Sequence, residues 1–228
     1  MGRDGETPRL RAGAGHTPKA TAASQQPQGV SPGVVDVIIH CATSNPGKLR
    51  EFQLAAPDFD IRPLRVRVEP PDETGATFEE NAVLKTLYYS QFAPGYLFAD
   101  DSGLEVDALN GQPGVHSARF AGPNAHDQDN NRLLLQLLAG KTDRTARFVC
   151  VIALVNNGRL EKTFRGSVEG RILTEPHGSG GFGYDPLFFH EPFGCTFGEA
   201  PIEDKMKASH RAQALDAMFT YLRGIAST

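Results

Sequence analysis

"VVDVIIHCATSNPGKLREFQLAA", Val34 to Ala56, changes character part-way along. Its first ten residues, Val34 to Thr43, are rich in β-branched side chains and read as a strand. Asn45 then suits a helix N-cap and Pro46 the first helical position. Leu49, Phe52 and Leu54 supply a partial apolar stripe. A strand, a tight turn and a helix start in so short a space open a βα unit.

Further along the chain, "TFEENAVLKTLYYSQF" predicts a second helix. Thr77 and Glu80 form a capping box, and Val83, Leu84, Leu87 and Tyr88 recur at helical spacing. Tyr96 to Ala99 reads as a strand, and "GQPGVHSARFAGPN" as a loop. "DNNRLLLQLLAG" is a helix stopped by Gly140. "RFVCVIALV" and "RLEKTFRGSVEGRIL" flank an Asn-Asn-Gly turn and predict a long hairpin. "GSGGFGYDPLFF" is a glycine-rich loop entering a short strand. "SHRAQALDAMFTYLRG" is a last helix, with Ser209 as N-cap and Gly224 as stop. The fold class is therefore α/β: a mixed sheet with flanking helices, without internal repeats. Residues 1–33 are rich in Gly, Ala, Pro, Gln, Ser and Thr without apolar periodicity. They are expected to be a disordered extension, leaving 34–228 as a single domain.

Composition narrows the function. With 228 residues, 39% of them hydrophobic, the chain can bury a core. A net charge of −4 argues against a broad nucleic-acid or membrane surface, but leaves room for a small basic pocket. Cys41, Cys150 and Cys195 contain no C-x-x-C pair, which suits a reducing compartment without disulfides or a thiolate zinc site. The apolar runs fall short of the roughly 20 residues of a spanning helix. The first residues are polar and do not resemble a signal peptide.

The chemistry centres on "YLFADDSGLEVD", Tyr96 to Asp107, where an apolar run meets Asp100 and Asp101. Adjacent carboxylates at the end of a buried strand need neutralising, and α/β sheets place ligands in such loops. Two readings stand: a capping Asp pair at a turn, or a hard divalent cation carried in on a polyphosphate. Asp72 and Glu73 lie upstream as further carboxylates. "TSNPGK", Thr43 to Lys48, sets polar side chains and a lysine at a helix N-terminus, which binds anions. It lacks Walker A spacing. Asn81 and Lys85 share a helical face. Phe182 sits among glycines that let backbone approach a ligand. His210 and Arg211 occupy a helix first turn, where cations are unfavourable unless an anion or acceptor-rich ligand is near. Lys205 and Lys207 precede them. Singly, each pattern also fits an ordinary cap, loop or solvated face.

Together, "ATSNPGKLREF", "ETGATFEENAVLK", "ADDSGLEVDALNGQPGVHSARFAG", "GGFGYDPLF" and "SHRAQAL" resemble one family in order: the Ham1/RdgB-type inosine and xanthosine triphosphate pyrophosphatases. The resemblance covers about Val35 to Gly224. It implies an elongated twisted mixed sheet, two lobes around a nucleotide cleft, a cytoplasmic homodimer, and a Mg²⁺ requirement, with Mn²⁺ as a substitute. The implied reaction cleaves ITP, dITP or XTP to the monophosphate and pyrophosphate. By the same resemblance Asp101 is the catalytic acid/base and a metal ligand, with Asp72 or Glu73 as the second. Thr43, Ser44, Asn45, Pro46, Gly47, Lys48 and Lys85 would hold the triphosphate, and Ser102 would touch substrate. Phe182, Gly183, Tyr184, Asp185, Lys205, His210 and Arg211 would form the base pocket. Asp72 departs from the Glu of many relatives. Rival readings are a pyrophosphatase of similar fold acting on pyrimidine nucleotides, and a nucleotide-binding regulator without catalysis.

Overall fold

The computed structural model describes residues 38–55, 59–66 and 68–226. The expected extension at 1–33 and the first residues of the expected first strand lie outside them.

A βα unit opens the described chain, as the change of period at Asn45 predicts. Strand β1 (Ile38–Cys41) leads into helix α1 (Pro46–Ala55), and β2 (Asp60–Pro63) returns beside β1 in parallel. Helix α2 (Phe78–Tyr89) carries the expected capping box: Thr77 accepts from the Glu80 N–H and Glu80 accepts from the Thr77 N–H. Then come β3 (Tyr96–Val106), α3 (Asp127–Leu137), β4 (Thr145–Asn156) and β5 (Arg159–Ile172). Strands β6 (Phe188–His190) and β7 (Cys195–Thr196) and helices α4 (Ile202–Ala208) and α5 (His210–Ala226) complete it. The β4–β5 hairpin turns on Asn157 and Gly158, both at positive φ, as a two-residue turn of that hand requires.

Among the described residues, seven strands form one sheet in the order β2-β1-β3-β4-β5-β6-β7. The β2-β1-β3 edge is parallel and the rest antiparallel. Apolar cores gather at both ends of the long β3–β4 pair. One joins β1, α1 and α5 through Phe52, Phe98, Ile152, Leu215 and Phe219. The other joins β5, β6 and α3 through Leu104, Leu134, Phe148, Phe188 and Phe197. Gly166 lets α5 lie against β5, since a Cβ there would come within 2.1 Å of the His210 carbonyl oxygen.

Three expectations need correction. Asp100 to Gly103 are not a loop at a strand end. They lie inside β3, paired with β4 through Asp100↔Ile152 and Asp101↔Val151. Pairing with β4 continues to Val106, so the polar residues interrupt the hydrophobicity and not the strand. The segment 114–119, expected as loop, is a 3₁₀ helix. Gly224 does not stop α5, which runs on to Ala226. Ser209 does cap that helix, its Oγ accepting the Ala212 N–H at 3.1 Å. Strand β2 and helix α4 were not anticipated, being too short for a readable period.

Candidate active site

Strand lengths create the cleft. β1 pairs with β3 only as far as Phe98 and ends at Cys41, with the Ala42 N–H donating to the Phe98 carbonyl as the last contact. Past that point β3 continues without its parallel neighbour, and Asp100, Asp101 and Ser102 lie on the uncovered stretch. A cavity of about 310 Å³ opens there. This is the carboxyl end of β1, the position that open α/β sheets favour for ligands.

The strand pleat then separates the two carboxylates. Asp100 sits opposite Ile152, on the face covered by α1 and α5, and Asp101 opposite Val151, on the face covered by α2. Each meets its own lysine. Lys48 of α1 lies 2.8 Å from Asp100. Lys85 of α2 lies 2.8 Å from Asp101 and 3.2 Å from Glu73. The pair is therefore neutralised by the protein itself, and neither the turn reading nor a metal is needed to explain it.

Their environments differ in consequence. Burial pushes the Asp100 carboxyl up, but Lys48, Arg211 and Lys85 overcome this and hold it well below the usual range. For Asp101 burial prevails over Lys85 and the carboxyl is raised. Asn81 adds a bond to Asp101 at 3.3 Å. Ser102 donates to Asp100 at 3.1 Å.

Behind Asp100 lies a buried ion network. Glu51 of α1 pairs with Arg211 and, at 3.0 Å, with Lys205. Lys205 also meets Asp185 at 2.7 Å. Arg211 reaches Ser102 at 3.0 Å and Asp100 at 3.9 Å. The anion required by the misplaced charge of Arg211 is thus Glu51, a residue that sequence reasoning missed. Its signal was faint: one Glu inside an amphipathic stripe. Burial raises Glu51, yet Arg211 and Lys205 carry it below the ordinary value; Asp185 stays raised by burial against Lys205. His210 is driven well below its usual value by burial and the cations Arg211, Lys205 and Lys48 around it. A neutral imidazole results, stacked on Phe148 with centroids 4.9 Å apart. Its buried Nδ1 has no hydrogen-bond partner among the described residues.

Phe182 roofs this end, its ring centroid 5.1 Å from Lys205 Nζ and 5.6 Å from the Arg211 guanidinium. It also rests on Gly47: a Cβ there would lie 2.7 Å from the ring, so the glycine admits the aromatic. Tyr184 is buried and donates to the Ser117 carbonyl at 2.8 Å. Gly183 is held by α3, donating to Asp127 at 2.7 Å and accepting from Asn131 at 3.0 Å.

Most of the expected residues converge on the cleft: Thr43, Ser44, Asn45, Lys48, Glu73, Lys85, Ser102, Phe182, Gly183, Tyr184, Asp185, Lys205, His210 and Arg211 line it. Asp101, Pro46, Gly47 and Asp72 do not. Asp101 is reached through Lys85 and Glu73, which do line it. Asp72 is exposed, and of the two upstream carboxylates only Glu73 turns inward. The helix N-terminus of α1 is less open than expected, because Asn45 Oδ1 already accepts the Gly47 and Lys48 N–H groups at 2.8 and 3.1 Å.

The sequence profile of the Ham1 family matches residues 39–221, a span that includes every lining residue named above. The chain belongs to the Ham1 family. It is 49% identical over 178 residues to a dITP/XTP pyrophosphatase of Exiguobacterium sp., covering 76% of this chain and 91% of that protein. The Ham1 protein of Staphylococcus aureus superposes with a TM-score of 0.73 at 40% identity, over 82% of this chain and 99% of its own. A HAM1 protein from Coxiella burnetii gives 0.75 at 39% identity, over 82% and 98%. Among the described residues no helix is long and apolar enough to cross a membrane.

Proposed function

We propose that the chain hydrolyses inosine and xanthosine triphosphates (ITP, dITP, XTP) to the monophosphate and pyrophosphate, clearing them from the nucleotide pool. The observation that carries this reading is the division of Asp100 and Asp101 between two lysines at one cleft, with an aromatic roof at its other end. The relatives named dITP/XTP pyrophosphatases support the substrate class.

In this reading Phe182 stacks on the purine. Lys205 and Arg211 are committed to Glu51 and Asp185, so His210, with its free Nδ1, is the group left to meet the base edge. Its N–H would donate to a 6-oxo group and find no acceptor in an adenine 6-amino group, a penalty of roughly 1–3 kcal/mol. Thr43, Ser44 and Lys48 hold the phosphates from the β1 side and Lys85 from the α2 side. Asp101 orients a water on the α-phosphorus and takes its proton. The new bond joins that oxygen to the α-phosphorus, and the bond to the α–β bridging oxygen breaks, so pyrophosphate leaves. The raised carboxyl of Asp101 suits a proton acceptor better than the firmly ionised Asp100 does.

Glu73 and Asp101 are hard oxygen donors meeting on one ammonium, which fits Mg²⁺ held by two carboxylates and substrate phosphates, with Mn²⁺ as a substitute. When bound, the ion would neutralise phosphate charge and lower the pKa of a coordinated water. A cytoplasmic homodimer completes the reading; the three free cysteines suit a reducing compartment. Hydrolysis of ITP in ¹⁸O-water tests the reaction. The expected label appears in inosine monophosphate. Label in pyrophosphate, or release of orthophosphate, would overturn attack at the α-phosphorus.

A further inference from the structure

Lys85 is caught between the two carboxylates assigned above to a metal ion. Its Nζ lies 2.8 Å from Asp101 Oδ1 and 3.2 Å from Glu73 Oε1, with the side chain 14% exposed. The second oxygen of each carboxylate is also engaged: Asn81 donates to Asp101 Oδ2 at 3.3 Å and Arg119 to Glu73 Oε2 at 3.1 Å. A buried and a partly exposed carboxylate thus have their charge balanced before any ligand arrives. A divalent cation bound to both would need oxygens at about 2.0–2.1 Å and would crowd the ammonium that now touches both. Two cations that close repel strongly at low dielectric. Asp100 has no such arrangement: Lys48 is joined there by Arg211, and among the described residues no second carboxylate pairs with that lysine.

We infer that Lys85 is a built-in stand-in for the divalent cation. It occupies the cation position in the free protein, excludes metal, and is drawn away only when a polyphosphate offers it another anion. This rests on the reading of Glu73 and Asp101 as metal ligands. The consequence is obligatory coupling. Metal and triphosphate each raise the other's affinity, because each completes the exchange that the other begins. Loss of this lysine therefore has opposite effects on the two ligands: weaker nucleotide binding and tighter metal binding.

The test is Mn²⁺ binding to the nucleotide-free full chain, followed by the electron paramagnetic resonance signal of free Mn²⁺. Wild type is expected to bind weakly. Lys85→Met should bind at least about tenfold more tightly, and the Lys85→Met/Glu73→Gln double variant should return to weak binding. Thermal melting gives a second readout: Mn²⁺ should raise the midpoint of Lys85→Met more than that of wild type, since a ligand bound only by the native state stabilises it. If Lys85→Met does not fold, Lys85→Gln removes the charge while keeping a hydrogen-bond donor. A folded Lys85 variant that binds Mn²⁺ no more tightly than wild type overturns the exchange. Should wild type in that case still release pyrophosphate from ITP, the proposed function stands and only the stand-in is lost. If wild type releases none, the functional reading itself has failed.

Discussion

Two ion networks flank the same strand and differ in how far their charges are committed. The inner one, Glu51–Arg211–Lys205–Asp185, has side chains 2–4% exposed, and three of the four ions touch two partners or more. No member can leave without stranding a buried charge. The outer one, Asp101–Lys85–Glu73–Arg119, ranges from 8% to 36% exposed, and its Lys85 and Glu73 line the cleft. Burial alone does not separate scaffold from chemistry here, since Asp101 is buried too. What separates them is the exposure of the partners: Asp101 pairs with a lysine 14% exposed that also holds the partly exposed Glu73, whereas every inner ion pairs with ions 4% exposed or less.

Asp101→Asn should break the outer network's function with the largest effect. Loss of the proton acceptor is expected to reduce kcat by roughly 10²–10⁴-fold, with little change in melting midpoint. Near-normal kcat at saturating Mg²⁺ would move the chemistry elsewhere. Glu51→Gln should show the reverse pattern. Removing one partner of a buried pair costs about 3–5 kcal/mol, visible in chemical denaturation. The pH dependence sharpens this. Glu51 is held below its ordinary 4.5, so its contribution is complete above that value and is lost as pH falls through the lower folded value. The stability gap between wild type and Glu51→Gln should therefore narrow on acidification below pH 4.5. A gap that does not change with pH would mean that Glu51 acts by packing alone.

A smaller effect is expected at the roof. Phe182→Ala should weaken nucleotide binding by roughly 1–3 kcal/mol if the ring stacks on a base, and equally for ITP and XTP. An unchanged KM for ITP would leave Phe182 as a packing partner of Gly47. The smallest effect belongs to Asp72→Asn. This exposed residue lies outside both networks, and its substitution should stay within about 0.5 kcal/mol in stability and leave kcat unchanged. Glu73→Gln at the next position should weaken metal activation. If the two exchange behaviour, the wrong upstream carboxylate has been placed at the site.

Much of this was legible in the sequence because local chemistry and tertiary structure agree. The Thr77–Glu80 capping box, the Asn45 cap and the Asn157-Gly158 turn are short-range devices, and the chain uses them as read. What escaped was long-range. Nothing near Glu51 announces that Arg211, 160 residues later, will close on it. The carboxylates of β3 looked like a strand end because two adjacent charges rarely occur mid-strand. They are tolerated because β1 stops at Cys41 and lysines from opposite faces supply the counter-charge.

The central claim is that this cleft reads a 6-oxo purine and cleaves its triphosphate at the α-phosphorus. Pyrophosphate release from ITP, XTP, dITP, GTP and ATP, measured side by side with and without Mg²⁺, tests it most directly. The expected result is Mg²⁺-dependent release with kcat/KM for ITP and XTP at least about tenfold above ATP, the discrimination one unpaired buried donor gives. Equal turnover of ATP and ITP, or no pyrophosphate from any of the five, would contradict the account.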